Sequence, residues 1–548
     1  MAVTGADSVS STTFAPLKNP IFRSLWIANQ VSNLGALMQA VTVGWLMATI
    51  SHSDLMVTLV QASAALPVFI LSFFAGAIAD SFNRRRVMLA ALALMAAASA
   101  SLTALVAVGS VSPWLILGFT FLIESGTALR NPAWIASVDD IVGRDDLAAA
   151  VTLNSVGYNI GRSVGPALGG ILIAAFGPLV TFALNSLGYL VPLGTIWRRK
   201  WQTSFSPLPH ESMAAAIYDG LRFTALSSEI KAAISRGFLF GVASIAMLAL
   251  LPVIVRDRLG GGSVVYGILM AGFGIGAFAG GLSAGHLRRI LPQEYLVRLA
   301  SVACAACAVS LALRGPVVVE ATALAFGGAG WVLAWSSLGV SVQFASPRWV
   351  VGRTMSIYYA LTYGGITVGS WAAGTISERY SPTAALALSA GGLLFVAALG
   401  FLVPVREHRE SELLPAEGFR SPAVAFDLKP RSGPIVIKLE YLIPQENIAA
   451  FLDLMRKRRH SSRRLGARNW ALLRNLQEPS RWTEQFRTPT WADYLRLRHR
   501  RTLVDEQLEA RILELHTGSL PPQMSLLIER PADPASTPDH FPSFVSPH

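Results

Sequence analysis

The stretch Gly76-Ala-Ile-Ala-Asp80-Ser-Phe-Asn-Arg84-Arg85-Arg86 separates two long apolar runs, residues 55–79 and 87–108. Each run is long enough to cross a bilayer, because about 20 helical residues span a hydrocarbon core of ~30 Å. The stretch therefore reads as a tight hairpin between two spanning helices. Three consecutive arginines hold such a hairpin on the cytoplasmic side. Asp80 then falls where the membrane meets water. Two readings of the loop are open: a plain positive anchor, or a gate in which both charge signs act.

Working outward, the apolar runs number twelve. The first six are residues 25–50, 55–79, 87–108, 113–137, 147–176 and 179–197. After a polar stretch follow 234–255, 266–285, 295–313, 317–344, 355–376 and 384–403. The fourth, fifth and tenth are diluted by polar residues and glycine, so hydropathy supports them least. Composition agrees with a membrane protein: 52% of the 548 residues are hydrophobic and only 14% charged, against roughly 25% in soluble domains. The net charge of +12 would point to nucleic acid in a soluble chain. Here the cations cluster in alternate loops, at Arg84/Arg85/Arg86, Arg144, Arg198/Arg199/Lys200, Arg288/Arg289 and Arg348/Arg353. The intervening loops carry only Arg256, Arg258, Arg314 and Arg379. That asymmetry predicts an inner-membrane protein with both termini in the cytoplasm and no nucleic-acid partner. Residues 1–20 lack the basic cluster, short apolar core and cleavage site of a secretory signal, so the first span is expected to be retained.

The two halves repeat one another. A single shift of 204 residues carries Gly161 to Gly365, Gly165 to Gly369, Gly170 to Gly374, Pro178 to Pro382 and Gly188 to Gly392. It also carries Gly76, Arg84 and Arg85 to Gly280, Arg288 and Arg289, while Asp80 falls on Ala284. The second copy thus keeps the basic anchor and loses the acid.

A second motif lies in the fifth span: Gly161-Arg-Ser-Val-Gly165-Pro166-Ala-Leu-Gly169-Gly170. Its glycines strip one helix face of side chains, and Pro166 removes a backbone donor. Arg162, inside the motif, and Glu124, in the preceding span, lie at similar depth. Ionised groups there cost about 2.5–3.5 kcal/mol or more unless paired or facing water. Glu124 is therefore expected to face Arg162 or a central cavity, either as a proton-exchanging group or as half of a static ion pair. Asn29, Asn33 and Gln39 on the first span are candidate cavity residues or interhelical ties. Trp331, Trp335 and Trp371 are candidate cavity walls or interface anchors. Cys304-Ala-Ala-Cys307 sits in an apolar span with no second ligand pair, so the thiols read as small hydrophobes rather than a metal site. There is no GxxxxGK[ST] phosphate loop and no cofactor signature.

Beyond the second bundle, residues 406–432 are rich in charge and proline and read as a linker. Residues 433–530 alternate in a β-α-β-β-α-β pattern: strand 435–442, helix 446–465, strands 468–476 and 482–488, helix 490–515 and strand 525–528. The expected organisation is a flexible segment 1–20, bundles 21–200 and 232–405, a cytoplasmic loop 201–231 with a short amphipathic helix, the linker, the α+β domain and a flexible tail 531–548.

The hairpin motif resembles the loop between helices two and three of the major facilitator superfamily (MFS), in which the Asp and Arg latch the two halves. The fifth-span motif is similar to the Gly-x-x-x-Gly-Pro-x-x-Gly-Gly motif of MFS exporters, where it is associated with antiport; a generic close-packing face is the alternative. Asp453-Leu-Met-Arg, Leu465-Gly-Ala, Trp470-Ala-Leu-Leu-Arg, Glu484-Gln-Phe and His499-Arg-Arg-Thr resemble the tail of the transmembrane secretion effector branch, related to enterobactin exporters. The tail domain looks like a ferredoxin-like, antibiotic-biosynthesis-monooxygenase-type module. Such modules usually pair their sheets, which would allow self-association. The resemblance implies a twelve-helix membrane fold exporting an amphipathic small molecule, drug or siderophore-like, with protons as coupling ion. In this reading Asp80 latches the cytoplasmic side at the start of the eleventh span, near Arg353. An importer of the same fold, a membrane-anchored enzyme and an assembly role are the rival readings.

Overall fold

The computed structural model describes residues 14–143, 146–199, 213–257, 259–313, 315–347, 349–405, 424–425 and 428–530. The chain divides into two compact units. The first holds Met1–Ala214, Ala232–Val342 and Met355–Glu407; the second holds Ala215–Lys231, Gln343–Thr354 and His408–His548.

The first unit is helical. Its first half comprises α1 (Pro20–Ile50), α2 (Asp54–Ser81), α3 (Arg84–Val108), α4 (Pro113–Ile141), α5 (Leu147–Phe176) and α6 (Pro178–Arg198). Sequence signals place the starts. Asn19 accepts from the Ile21 and Phe22 amides, and Ser53, Asn83 and Ser112 cap α2, α3 and α4 in the same way. Pro20, Pro113 and Pro178 occupy first turns, where a missing N–H costs nothing. Gly109, at φ 73°, closes α3 in a left-handed conformation that favours glycine.

After α7 (Met213–Leu226), the second half opens with a broken span: α8 (Ser228–Ser244), α9 (Ala246–Ala249) and α10 (Leu251–Asp257). It continues with α11 (Ser263–Ile290), α12 (Gln293–Leu313), α13 (Val317–Phe344), α14 (Val351–Arg379) and α15 (Pro382–Leu399). The 204-residue shift carries the first residues of α4, α5 and α6 onto those of α13, α14 and α15. Twelve spans in two sets of six therefore stand among the described residues. Nine of them are long and apolar enough to cross a membrane by length and hydropathy. α4 and α5 fall short, as expected. The tenth span (α13) does not; the eleventh (α14) does instead, because threonine, serine, tyrosine and glycine run through its length.

Each bundle is tied internally by polar groups that are satisfied away from water. In the first, Gln39 accepts from Asn185 and from Ser99 Oγ (3.3 Å), joining α1, α3 and α6. In the second, the fully buried Arg236 donates to Glu294, which also accepts from Arg298 (2.8 Å) and the Val405 amide (2.8 Å).

The second unit contains a four-stranded antiparallel sheet, β1 (Ile435–Leu442), β2 (Arg468–Arg474), β3 (Arg481–Thr488) and β4 (Gln523–Ile528), in the order β2-β3-β1-β4. With α16 (Ile448–Leu465) this gives the expected ferredoxin-like α+β topology. The last helix differs from expectation. It is two helices, α17 (Trp491–His499) and α18 (Leu503–Glu514), because Thr502 and Asp505 form a capping box that restarts the helix. Alternate residues Ile435, Ile437, Leu439 and Tyr441 of β1 turn inward against Phe451 and Met455 of α16, beside Trp482 and Phe486 of β3. Glu484 is buried among them and accepts from Tyr441 Oη (3.1 Å), Arg458 Nε (2.7 Å) and Trp470 Nε1 (2.8 Å).

Burial pushes the Glu509 carboxyl upward, but Arg458 and Arg501 outweigh it and hold it below its ordinary value of 4.5. The folded pKa is the lower one. The stabilisation is therefore present above pH 4.5 and is lost as pH falls through the folded value. Glu509→Gln is expected to destabilise the sheet unit by about 1–3 kcal/mol at pH 7 and by almost nothing once both states are protonated. Hydrogen exchange of the β1 and β3 amides at neutral and acid pH measures this.

Candidate functional site at the seam between the bundles

Glycines set how closely the spans approach. On α5, a Cβ added at Gly165 would lie 2.8 Å from Leu37 Cβ, and one at Gly169 would lie 2.9 Å from the Met38 carbonyl oxygen, both on α1. Gly161 faces Leu37 as well, and Pro166 is buried in the same helix. α14 repeats the pattern on α8, with Gly365 against the Phe238 carbonyl and Gly369 against that of Val242. These faces bind spans within each bundle. Gly170 and Gly374 turn outward to the other bundle. A Cβ on Gly170 would lie 2.5 Å from Gly267 Cα and 3.0 Å from the Ser263 carbonyl oxygen of α11. One on Gly374 would lie 2.9 Å from Leu55 Cα of α2. The bundles therefore touch backbone to backbone along two related seams.

A polar belt closes the same end. Arg256, at the end of α10, donates to the Ala48 (2.6 Å) and Ser51 (2.8 Å) carbonyls and lies 3.7 Å from Asp54. Ser377 Oγ donates to Asp54 (2.6 Å), and Glu378 accepts from Ser53 Oγ (3.0 Å) and the Leu55 amide (3.3 Å). Arg256, Ser377 and Glu378 thus join the end of α1, the turn and the start of α2 to the opposite bundle. Sequence reading had treated Arg256 only as an orientation marker.

At mid-depth the seam changes character. The Arg162 guanidinium lies over the Trp331 ring at 4.6 Å and over Phe273 at 5.6 Å, crossing from one bundle to the other. Trp331 packs edge-on against Trp335 (5.5 Å), which meets Phe240 (5.8 Å) and Tyr358 (6.4 Å). The indole N–H groups of Trp331 and Trp335 are shielded from solvent and meet no acceptor among the described residues. No carboxylate forms an ion pair with Arg162 among the described residues. The aromatic seam thus holds one cation and two shielded indole donors among apolar rings. Groups of this kind complement an apolar molecule rich in acceptor oxygens.

Of the two expectations for Glu124, the ion pair with Arg162 is not formed among the described residues, while both groups lie close enough to Tyr363 of α14, in the other bundle, for their charges to act on it. The cation whose charge acts most strongly on Glu124 is Arg130, on its own helix, and the Thr127 hydroxyl donates to the Ile123 carbonyl (3.3 Å). Arg130 is 7% exposed, reaches Asn33 Oδ1 at 3.4 Å, and has two further guanidinium nitrogens without a partner. Asn29 lines a small cavity with it, together with Leu25, Trp134 and Ile196. Asn29 and Asn33 so belong to the interior of the first bundle. Gln39 is 5% exposed and spent on Asn185 and Ser99, a tie rather than a cavity contact. Trp371 is 56% exposed and makes none of the ring contacts that join Trp331 and Trp335 among the described residues. Arg130 was legible as a cation well inside the fourth span.

In the hairpin, Gly76 and the side chain of Asp80 lie outside what is described. Arg84 donates to Asp140 (2.7 Å) and the Ala136 carbonyl (3.0 Å), tying α3 to α4. Arg85 donates to the Ile196 (3.0 Å) and Trp197 (2.8 Å) carbonyls, neutralising the end of α6. Arg86 is exposed. The Cys304 thiol is buried and donates to the Gly327 carbonyl (3.4 Å), as a packed hydrophobe does. Arg144, Arg258, Arg314 and Arg348 also lie outside the described residues.

Comparison with known proteins agrees with this architecture. The family model described as transmembrane secretion effector matches residues 11–532. The enterobactin exporter EntS of Salmonella typhimurium strain LT2 is 28% identical over 396 residues, covering 70% of this chain and 92% of that protein. EntS of Escherichia coli O1:K1 is 27% identical over 400 residues, covering 71% and 93%. Among solved structures, the nucleoside transporter NupG (D323A mutant) superposes with a TM-score of 0.60 at 11% identity, over 70% of this chain and all of that one. A bacterial homologue of the human lysosomal transporter Spinster, inward-facing and unoccupied, gives 0.55 at 14% identity, over 71% and 95%. These two likenesses concern the fold alone. Duplicated bundles, glycine seams and a family match along nearly the whole length converge: the chain is a multi-pass membrane transporter of the major facilitator type and belongs to the transmembrane secretion effector family.

Proposed function

We propose that the protein exports an amphipathic, oxygen-rich anion of the siderophore type across the inner membrane by alternating access. The observation that carries this reading is the Arg162 guanidinium on Trp331, 4.6 Å from the ring centroid, between the two bundles. A cation with unpartnered indole donors beside it favours phenolate or carboxylate oxygens, and the aromatic walls take the apolar body. The relatives named as enterobactin exporters support the same substrate class. The Arg256–Asp54–Glu378 belt is the gate on the extracytoplasmic side, and the Asp80 hairpin is its cytoplasmic counterpart. Both termini lie in the cytoplasm.

Protons drive the cycle through Glu124. This carboxylate alternates between a proton and the charge of Arg130, whose two unpartnered nitrogens sit ready for it. Glu124→Gln fixes the neutral form. In proteoliposomes loaded with enterobactin as the probe, this variant should lose export driven by a pH gradient while retaining probe exchange at equal pH. Full gradient-driven export by a correctly inserted Glu124→Gln protein would remove Glu124 from the coupling step. Failure of wild-type protein to move the probe at all would remove the siderophore assignment.

A further inference from the structure

The second compact unit is more than a tail domain. It gathers three stretches far apart in sequence: residues of α7, the turn leading into α14, and the sheet domain. At their meeting point stands Arg500, in the break between α17 and α18. It is 9% exposed, its guanidinium lies 3.9 Å from the centroid of Trp349, and its Nη1 donates to Asp219 of α7 at 2.8 Å. Trp349 meets Phe223 of α7 edge to face (5.6 Å), and Arg464 of α16 lies over the same Phe223 (5.3 Å). Arg468 of β2 lies over Tyr218 (5.8 Å). Gly220 gives the backbone room: a Cβ there would be 2.8 Å from Arg353 Cβ, in the first turn of α14. One arginine thus stacks on the α13–α14 turn and ion-pairs with the connector between the halves. Lysine would supply the charge but not the planar stack.

We infer that the sheet domain is an intramolecular clasp that brakes transport. By holding α7 and the first turn of α14 as one body through Arg500, Trp349 and Asp219, it ties the connector of the two halves to a spanning helix of the second. Alternating access requires the halves to rock against each other. Contacts that bind a connector to one moving span have to be broken or carried along in each cycle, and this slows it. The clasp so gives the domain a role that needs no chemistry of its own, and it goes beyond the transport reading above.

The test uses the full chain in lipid nanodiscs and proteoliposomes. Arg500→Ala, and Asp219→Asn on the opposite side of the contact, should each raise amide exchange at least tenfold in residues 215–226 and 343–354. Both should raise enterobactin turnover about three- to tenfold, with KM unchanged. Arg500→Lys should fall between them and the wild type. Unchanged exchange in both segments overturns the clasp. Faster exchange with unchanged or lower turnover overturns the brake. Should Arg500→Ala also lose protection in β1 and β3, Asp219→Asn, which leaves the sheet domain untouched, decides. A wild type that does not move the probe refutes the substrate assignment, and the exchange measurements still decide whether the clasp exists.

Discussion

Arg162→Ala is expected to raise the KM for an anionic amphipathic probe about 10- to 100-fold, with the protein still inserted and folded. The removed group is a single cation on two aromatic rings. Losing a charged hydrogen bond to the probe costs about 1.5–3 kcal/mol, and each 1.4 kcal/mol is a factor of ten. Arg162→Lys keeps the charge and loses the planar fork, so it should recover only part of the affinity. Quenching of tryptophan fluorescence by the probe, dominated by Trp331 and Trp335 at the seam, gives binding independently of flux. A neutral probe of the same shape should lose little in Arg162→Ala. Equal loss for neutral and anionic probes would mean that Arg162 holds the bundles together and does not read the substrate.

The second large effect is expected at Gly170. Its Cα faces Gly267 with no room for a Cβ, and the nearest obstacles to one are backbone atoms, at 2.5 and 3.0 Å. Backbone in two packed helices gives way poorly. Gly170→Val should destabilise this closed end by about 1–3 kcal/mol, the usual range for overpacking. A shift of that size changes a two-state population by roughly one to two powers of ten. Transport should fall at least tenfold because the cycle no longer reaches this state. Gly161 and Gly165 act within the first bundle, so changes there should cost stability before they change the balance between states.

The parts of this molecule carried by spacing could be read from the chain. Twelve apolar runs, a constant shift between halves and a glycine face at helical period all survive any detail of side-chain packing. The glycine motif proved to contain two separate surfaces, and only the structure distinguishes Gly165, facing α1, from Gly170, facing α11. What spacing does not carry is the direction of a long side chain. Arg162 and Glu124 lie at one depth on adjacent spans, yet the arginine turns to Trp331 and the glutamate feels Arg130. Depth sets the need for a partner, and rotation about the helix axis chooses it. The Arg256 belt was hidden for a related reason: its members come from the α1–α2 turn, α10 and α14, which no local pattern links. The break between α17 and α18 was legible, since Thr502-Leu-Val-Asp505 has the form of a capping box, but an apolar period running through it masked the restart. Gln39 was open between a cavity contact and an interhelical tie, and its bonds to Asn185 and Ser99 make it the tie.

The central claim is that two six-helix bundles rock about the Arg162 seam and meet at the end carrying the Arg256 belt. Spin labels at the exposed positions His52, in the α1–α2 turn, and Arg379, at the end of α14, report that end directly by pulsed electron resonance. Two distance populations are expected, with the short one favoured in this state, redistributed by probe and pH, and displaced to the long one by Gly170→Val. A single distance, unmoved by probe, pH or that substitution, would contradict the account.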